Sequence, residues 1–192
     1  MKQMRHRIFI AINLPEDVKK ELASHQQKWP ELPIRWTRPE NIHITLAFLG
    51  YLSDEEVAEV CKIVAEVVSK NQPLFINLIK ILYGPPKKMP PRMVWVEGEQ
   101  SKELTKLKND LDNALSAGSG YQKETRPYTP HITLGRIRQW EFRQIEPEDR
   151  PQVETDLSLG FDVSSIEVME SFLKRGGAEY TVLETCDLKG ET

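Results

Sequence analysis

One tetrapeptide occurs twice in this chain. "HITL" stands in "NIHITLAFLG" at 41–50 and again in "TPHITLGRIR" at 129–138. The chain has four histidines, His6, His25, His43 and His131, and two of them open this tetrapeptide. Coincidence is a poor account, because a match at all three positions after two of only four histidines is improbable by composition alone. Duplication of a supersecondary unit is the simplest explanation. It constrains the fold more than any single segment does, since the two halves must then fold alike.

The segments around the repeats agree with that reading. "RIFIAINL" at 7–14 reads as a buried strand and "PEDVKKELASHQQKW" at 15–29 as a helix, with Pro15, Glu16 and Asp17 suited to its first turn. A short extended piece at 34–37 precedes the strand at 41–52. Ser53 and Glu56 then form a capping box for a helix whose stripe includes Val57, Val60, Val64 and Val68. A strand at 73–84, a Pro-rich loop at 85–92 and the strand "MVWVEG" follow. Ser101 caps a helix with Leu104, Leu107, Leu111 and Leu115 on one face. The second HITL strand comes next. The polar, acidic segment 140–157 is expected to be irregular, and the remainder reads as strands with a turn at Gly176-Gly177. Each half thus carries a helix before its HITL strand. The expected fold class is α+β: two pseudo-symmetric lobes of mostly antiparallel sheet with outer helices, facing each other across a cleft. At 192 residues, 1–192 is expected to form one such bilobal domain.

On a strand, side chains alternate between faces. His43 therefore shares a face with Thr45, and His131 with Thr133, while the intervening Ile and Leu side chains anchor the core. Two lobes facing each other bring together two imidazoles and two hydroxyls. Cleavage of a phosphodiester needs a base for the attacking water and an acid for the departing oxygen. An imidazole serves either purpose near neutral pH. Thr45 and Thr133 would donate hydrogen bonds to the non-bridging phosphate oxygens, where charge gathers in the transition state. Arg136, three residues beyond Thr133, adds a fork of donors matched to phosphate. The same-face neighbours of both histidines are threonines, and no Cys, Asp or Glu stands at ligand spacing, so a metal site is not expected. His6 and His25 have no comparable setting, and His25 is expected on a helix surface.

Net charge is −3, which argues against a generally basic nucleic-acid binder but leaves room for a local patch. Lys87, Lys88 and Arg92, and the series Arg126, Arg136, Arg138 and Arg143, are the candidates for guiding an RNA backbone; solvated loop charge is the alternative. Trp36 and Tyr128 flank the motifs and would serve either as stacking platforms or as packing. Two cysteines, Cys61 and Cys186, form no disulfide framework, and the N-terminal apolar run stops at Pro15, as a strand rather than a signal peptide. A cytoplasmic location is the expectation.

"WTRPENIHITLAFLG" and "RPYTPHITLGR", together with the opening "RIFIAINLP", resemble the paired H-x-T-x motifs of the two-histidine (2H) phosphoesterase superfamily, and more narrowly the RNA 2′,3′-cyclic phosphodiesterases, the 2′-5′ RNA ligase-like group. The resemblance implies a bilobal fold with a central cleft and no cofactor or metal. The implied partner is RNA ending in a 2′,3′-cyclic phosphate, opened to a 2′-phosphomonoester, with no membrane and a monomeric protein. By the same resemblance His43 protonates the leaving 3′-oxygen, His131 activates water, and Thr45, Thr133 and Arg136 hold the phosphate. Phe48 falls where the family places the terminal base, although strict alternation would turn it into the core with Ile44 and Leu46. The residues leave two alternatives open: the same site used for 2′-5′ ligation or for another cyclic phosphate, and a non-catalytic RNA-end binder.

Overall fold

The computed structural model describes residues 5–86, 88–125, 127–175 and 177–189. Along the chain run β1 (His6–Asn13), α1 (Glu16–Ser24), β2 (Ile34–Trp36), β3 (His43–Leu52), α2 (Asp54–Ser69), β4 (Leu74–Gly84), β5 (Met93–Gly98), α3 (Lys102–Gly118), β6 (His131–Ile137), α4 (Gln139–Arg143), β7 (Glu154–Val163), β8 (Ser165–Lys174) and β9 (Gly177–Asp187). Their local causes are those of the sequence. The Ser53 hydroxyl accepts from the Glu56 backbone N–H at 3.3 Å, and the Glu56 carboxylate accepts from the Ser53 N–H at 2.7 Å. Ser101 caps α3 through the Leu104 N–H at 3.0 Å. Such caps contribute about 1 kcal/mol each.

All strand pairs are antiparallel, in the order β7-β4-β5-β6-β3-β1-β8-β9, and β2 adds to β6. The two HITL strands meet at the centre through a single pair, Ile44 opposite Ile132. Beyond that pair the strands part, and β2 takes over the free edge of β6 at 135–137. Two four-stranded lobes therefore diverge from one joint. β4, from the first half, pairs with β5 and β7, whereas β8, from the second half, pairs with β1 and carries β9 on its other edge. Each half thus lends strand to the opposite lobe, which ties the two together. The apolar faces of the helices, including Val60, Val64, Leu104, Leu107 and Leu111, lie fully buried.

Three expectations need correction. The first helix ends at Ser24 and tightens into a 3₁₀ turn over His25–Lys28. His25, expected on a surface, is buried at that junction with its Nε2 3.6 Å from Glu21. The segment 140–157 is not irregular: it holds α4, a 3₁₀ turn over Pro147–Asp149 and the start of β7. Its single large apolar anchor, Phe142, is fully buried among charged neighbours, which masks the amphipathic signal. β7 does alternate, with Thr155, Leu157, Leu159, Phe161 and Val163 on its more buried face. Of the expected turn glycines, Gly176 lies outside the described residues. Among the described residues no helix is long and apolar enough to cross a membrane.

Candidate active site

The repeated tetrapeptide is followed, in both halves, by the same irregularity. Between β1 and β3 the register runs Ala11 opposite Thr45 and then Ile10 opposite Ala47, so Leu46 is an extra residue. Between β5 and β6 it runs Trp95 opposite Thr133 and then Val94 opposite Gly135, so Leu134 is extra. A one-residue bulge shifts the phase of every side chain beyond it. Leu46 and Ala47 are both buried, as are Leu134 and Gly135. Phe48 and Arg136 accordingly return to the histidine face. Strict alternation would have put Phe48 in the core; the bulge leaves it 60% exposed.

Both histidines are held alike. Nδ1 of His43 lies 2.8 Å from the Asn41 carbonyl oxygen, and Nδ1 of His131 lies 2.9 Å from that of Thr129. A carbonyl oxygen only accepts, so each Nδ1 carries the proton. In the neutral ring Nε2 is then left with a lone pair. The Thr45 hydroxyl donates to Nε2 of His43 at 3.0 Å. Nε2 of His131 has no hydrogen-bond partner among the described residues. The rings are also fixed by aromatic neighbours. Trp95 stacks on His131 at 4.0 Å between centroids and 21° between planes. Phe9 lies 5.0 Å from His43, and Tyr180 meets it edge-on at 5.2 Å.

His43, Thr45, His131, Thr133, Arg136 and Phe48 line one cavity of ≈ 290 Å³. The structure thus assembles all six residues singled out from the sequence. Thr37, Asn41, Met93 and Tyr180 complete the lining. These four escaped the sequence reading because Thr37 and Asn41 reach the cavity from the β2–β3 connection, Met93 from β5 and Tyr180 from β9, outside the repeated motif. Asn41 was legible only as the residue two before His43, since its backbone carbonyl, not its side chain, holds the ring.

The electrostatics disfavour cations on the rings. Burial, followed by the nearby His131, Lys19 and Arg136, pushes His43 down to about 4 against one favourable backbone hydrogen bond. Burial and Arg136 also lower His131. Both imidazoles are therefore neutral at pH 7. Arg136 makes no ion pair among the described residues; its guanidinium contacts the Met93 sulfur at 3.5 Å, a weak acceptor. An anion entering the cavity meets an unneutralised charge and hydroxyl donors. Of the other basic candidates, Lys87 and Arg126 lie outside the described residues, Arg138 pairs with Glu141 at 3.3 Å, and Lys88 is exposed on its loop. Tyr128 is half-buried against the core, with its hydroxyl donating to the Thr45 carbonyl at 3.2 Å. Trp36 packs against Trp29 at 6.5 Å.

Comparison with known proteins places this geometry. A family model described as LigT like Phosphoesterase matches residues 12–95 and, a second time, residues 96–180. An RNA 2′,3′-cyclic phosphodiesterase of Methanocaldococcus jannaschii is 31% identical over 179 residues, covering 93% of this chain and 98% of that protein. An RNA 2′,3′-cyclic phosphodiesterase of Thermotoga maritima is 32% identical over 190 residues, covering 96% of each. Among solved structures, TT0787 of Thermus thermophilus superposes with a TM-score of 0.80 at 27% identity, covering 98% of this chain and all of that one. Two matches of one family model, one per half, are what the duplicated tetrapeptide anticipates.

Proposed function

The chain belongs to the LigT-like phosphoesterase family, and from that premise we propose that it opens the 2′,3′-cyclic phosphate at an RNA end to a 2′-phosphomonoester by acid–base catalysis between His43 and His131, without a metal. The family and the names of the relatives support the reaction class. The observation that carries the mechanism is the shared anchoring of the two rings, each with Nδ1 donating to a carbonyl two residues earlier and Nε2 turned to one cavity.

The asymmetry between the rings supports the division of labour. Nε2 of His131 is unpartnered and offers its lone pair to a water. That water loses its proton to His131 as its oxygen attacks phosphorus. The P–O3′ bond breaks, and the departing 3′-oxygen takes a proton from Nε2 of a protonated His43. Thr45, which donates to the neutral His43 ring, is free to turn to a phosphate oxygen once that ring is protonated. Thr133 and Arg136 hold the remaining non-bridging oxygens, where charge accumulates. Phe48 is placed to contact the terminal base. Burial holds His43 near 4. The phosphodiester anion supplies the opposite charge that raises it, so substrate binding itself protonates the acid.

The test is a short RNA ending in a 2′,3′-cyclic phosphate, incubated in excess EDTA with wild type, His43→Ala and His131→Ala. A 2′-phosphate product from wild type, reduced by a factor of roughly 10² to 10⁴ in each variant, is expected. Abolition by EDTA and rescue by a divalent ion would overturn the metal-free mechanism, and a 3′-phosphate product would reverse the regiochemistry.

A further inference from the structure

A second groove opens from the cavity past Thr37, Asn41, Arg136 and Tyr180, and its outer wall is Arg35, Trp36 and Arg38. Three arginines converge there in a chain of net charge −3. Arg35 lies directly opposite Arg136 in the β2–β6 ladder. Like charges facing each other across strands are destabilising. Yet neither guanidinium has a carboxylate partner among the described residues, and Arg38 has only Glu40 at 4.0 Å. The Arg35 guanidinium lies against the start of β9. Gly177, with φ 129°, abuts it: a Cβ there would lie 2.5 Å from an Arg35 guanidinium nitrogen. Gly135 leaves room for Trp36, which a Cβ would meet at 2.8 Å. An uncompensated pair of facing arginines beside an aromatic ring is the arrangement that binds a single-stranded nucleic-acid backbone.

Resting on the phosphodiesterase reading, we propose that this groove carries the RNA strand leading to the cyclic end, with Arg35 and Arg38 on backbone phosphates, so that the enzyme prefers an oligonucleotide end to a free cyclic nucleotide. The side is consistent with the chemistry. The leaving 3′-oxygen stays on the terminal ribose, and that ribose is joined through its 5′-oxygen to the rest of the RNA. The strand must therefore depart from the His43 side, and the groove adjoins Asn41, whose carbonyl holds His43. The neighbouring pocket between His131 and the Thr45–Phe48 stretch of β3 is backed by Lys108, Asp112 and Tyr121 and does not include Arg35 or Arg38.

The experiment compares a mononucleotide 2′,3′-cyclic phosphate with a ten-residue RNA ending in the same group, for wild type, Arg35→Ala, Arg38→Ala and Arg35→Lys. Arg35 is exposed, so its loss leaves the fold intact. Wild type is expected to favour the oligonucleotide in kcat/KM by about tenfold or more at low salt, with the advantage falling as salt rises. Arg35→Ala and Arg38→Ala should each lose most of that advantage while turning over the mononucleotide within about twofold of wild type, and Arg35→Lys should keep part of it. An undiminished advantage in both alanine variants, or an equal loss on both substrates, would overturn the groove. Turnover of neither substrate by wild type would instead overturn the phosphodiesterase reading. The groove is then judged by fluorescence anisotropy of the ten-residue RNA, where Arg35→Ala must weaken binding and flatten its salt dependence for the proposal to stand.

Discussion

Phe48 and Arg136 occupy the same position in the two repeats: each is the fifth residue from its histidine, and each is returned to the cavity by a bulge at the leucine of HITL. Duplication produced two equivalent places on the cleft wall, and the chain has filled one with an aromatic ring and the other with a cation. Phe48→Ala should raise KM for the cyclic-ended RNA by roughly ten- to a hundredfold, the worth of one base stack. Since Phe48 is exposed, Tm should stay within a degree or two of wild type. A KM unchanged in Phe48→Ala, with Phe48→Tyr indistinguishable from both, would remove Phe48 from substrate contact.

The residue before each of these also differs, Ala47 in the first repeat and Gly135 in the second, for a reason visible in the fold. β2 lies against β6 and, among the described residues, has no counterpart on β3. A Cβ at Gly135 would meet Ile34 at 2.6 Å and the Trp36 ring at 2.8 Å. Gly135→Ala is expected to cost about 1–3 kcal/mol in urea unfolding through overpacking. Ala47→Gly should cost less, about 1 kcal/mol. Equal effects at the two sites would mean that β2 does not press on the bulge.

The pH profile follows from the two lowered imidazoles. kcat/KM reports the free enzyme, in which His43 sits near 4 and His131 below its usual 6.5. The acid must be charged and the base neutral, so the maximum should fall between those two values, on the acidic side of pH 6.5. The profile of kcat should be displaced to higher pH, because bound phosphodiester raises both groups. A kcat/KM flat between about pH 5 and 9 would remove the acid–base assignment.

Much of the site was legible because catalysis used residues within one short motif. His43, Thr45, His131 and Thr133 follow from alternation alone. Phe48 and Arg136 do not, since the bulges at Leu46 and Leu134 are set by pairing with β1 and β5 rather than by local residue preference. The exchange of β4 and β8 between lobes was equally hidden: antiparallel partners cannot be assigned from periodicity. Segment 140–157 conceals its order because one buried phenylalanine, Phe142, organises a charged stretch. The arginines singled out by their spacing in sequence were mostly not those that converge. Arg35 and Arg38 gain their meaning only from the β2–β6 register.

His6, which has no part in the cleft, should nevertheless make stability depend on pH. Its Nδ1 lies 2.8 Å from Glu170 and its Nε2 2.9 Å from Asp54. Hydrogen bonds to Glu170 first, and then to Asp54, raise its pKa above 6.5. A raised histidine binds its proton more tightly folded than unfolded. Its contribution is therefore complete below about 6.5 and is lost as pH rises through the folded value. The Tm difference between wild type and His6→Gln should be larger at pH 6 than at pH 9. A difference that grows with pH would reverse the sign and refute the clamp.

Lys108 and Asp112 test whether a buried ion pair joins the helix layer to the first motif strand. Both are nearly inaccessible, at 6% and 3% exposure, and their charged atoms lie 2.5 Å apart, with the two residues one turn apart on α3. The Lys108 ammonium sits 5.4 Å from the centre of the Tyr128 ring, and Tyr128 donates to the Thr45 carbonyl. Asp112 also lies beside Tyr121, whose hydroxyl is pushed up to about 12, chiefly by burial and then by the Asp112 charge. Asp112→Ala strands a buried ammonium and should cost about 3–5 kcal/mol in urea unfolding. Lys108→Met combined with Asp112→Leu removes both charges and should recover most of that loss, because two desolvated ions are replaced by packing surface of similar volume. Asp112→Ala costing under about 1 kcal/mol would show that water reaches the pair. A double variant no better than Asp112→Ala would show instead that the Tyr121 and Tyr128 contacts, not the uncompensated charge, are what the single substitution destroys.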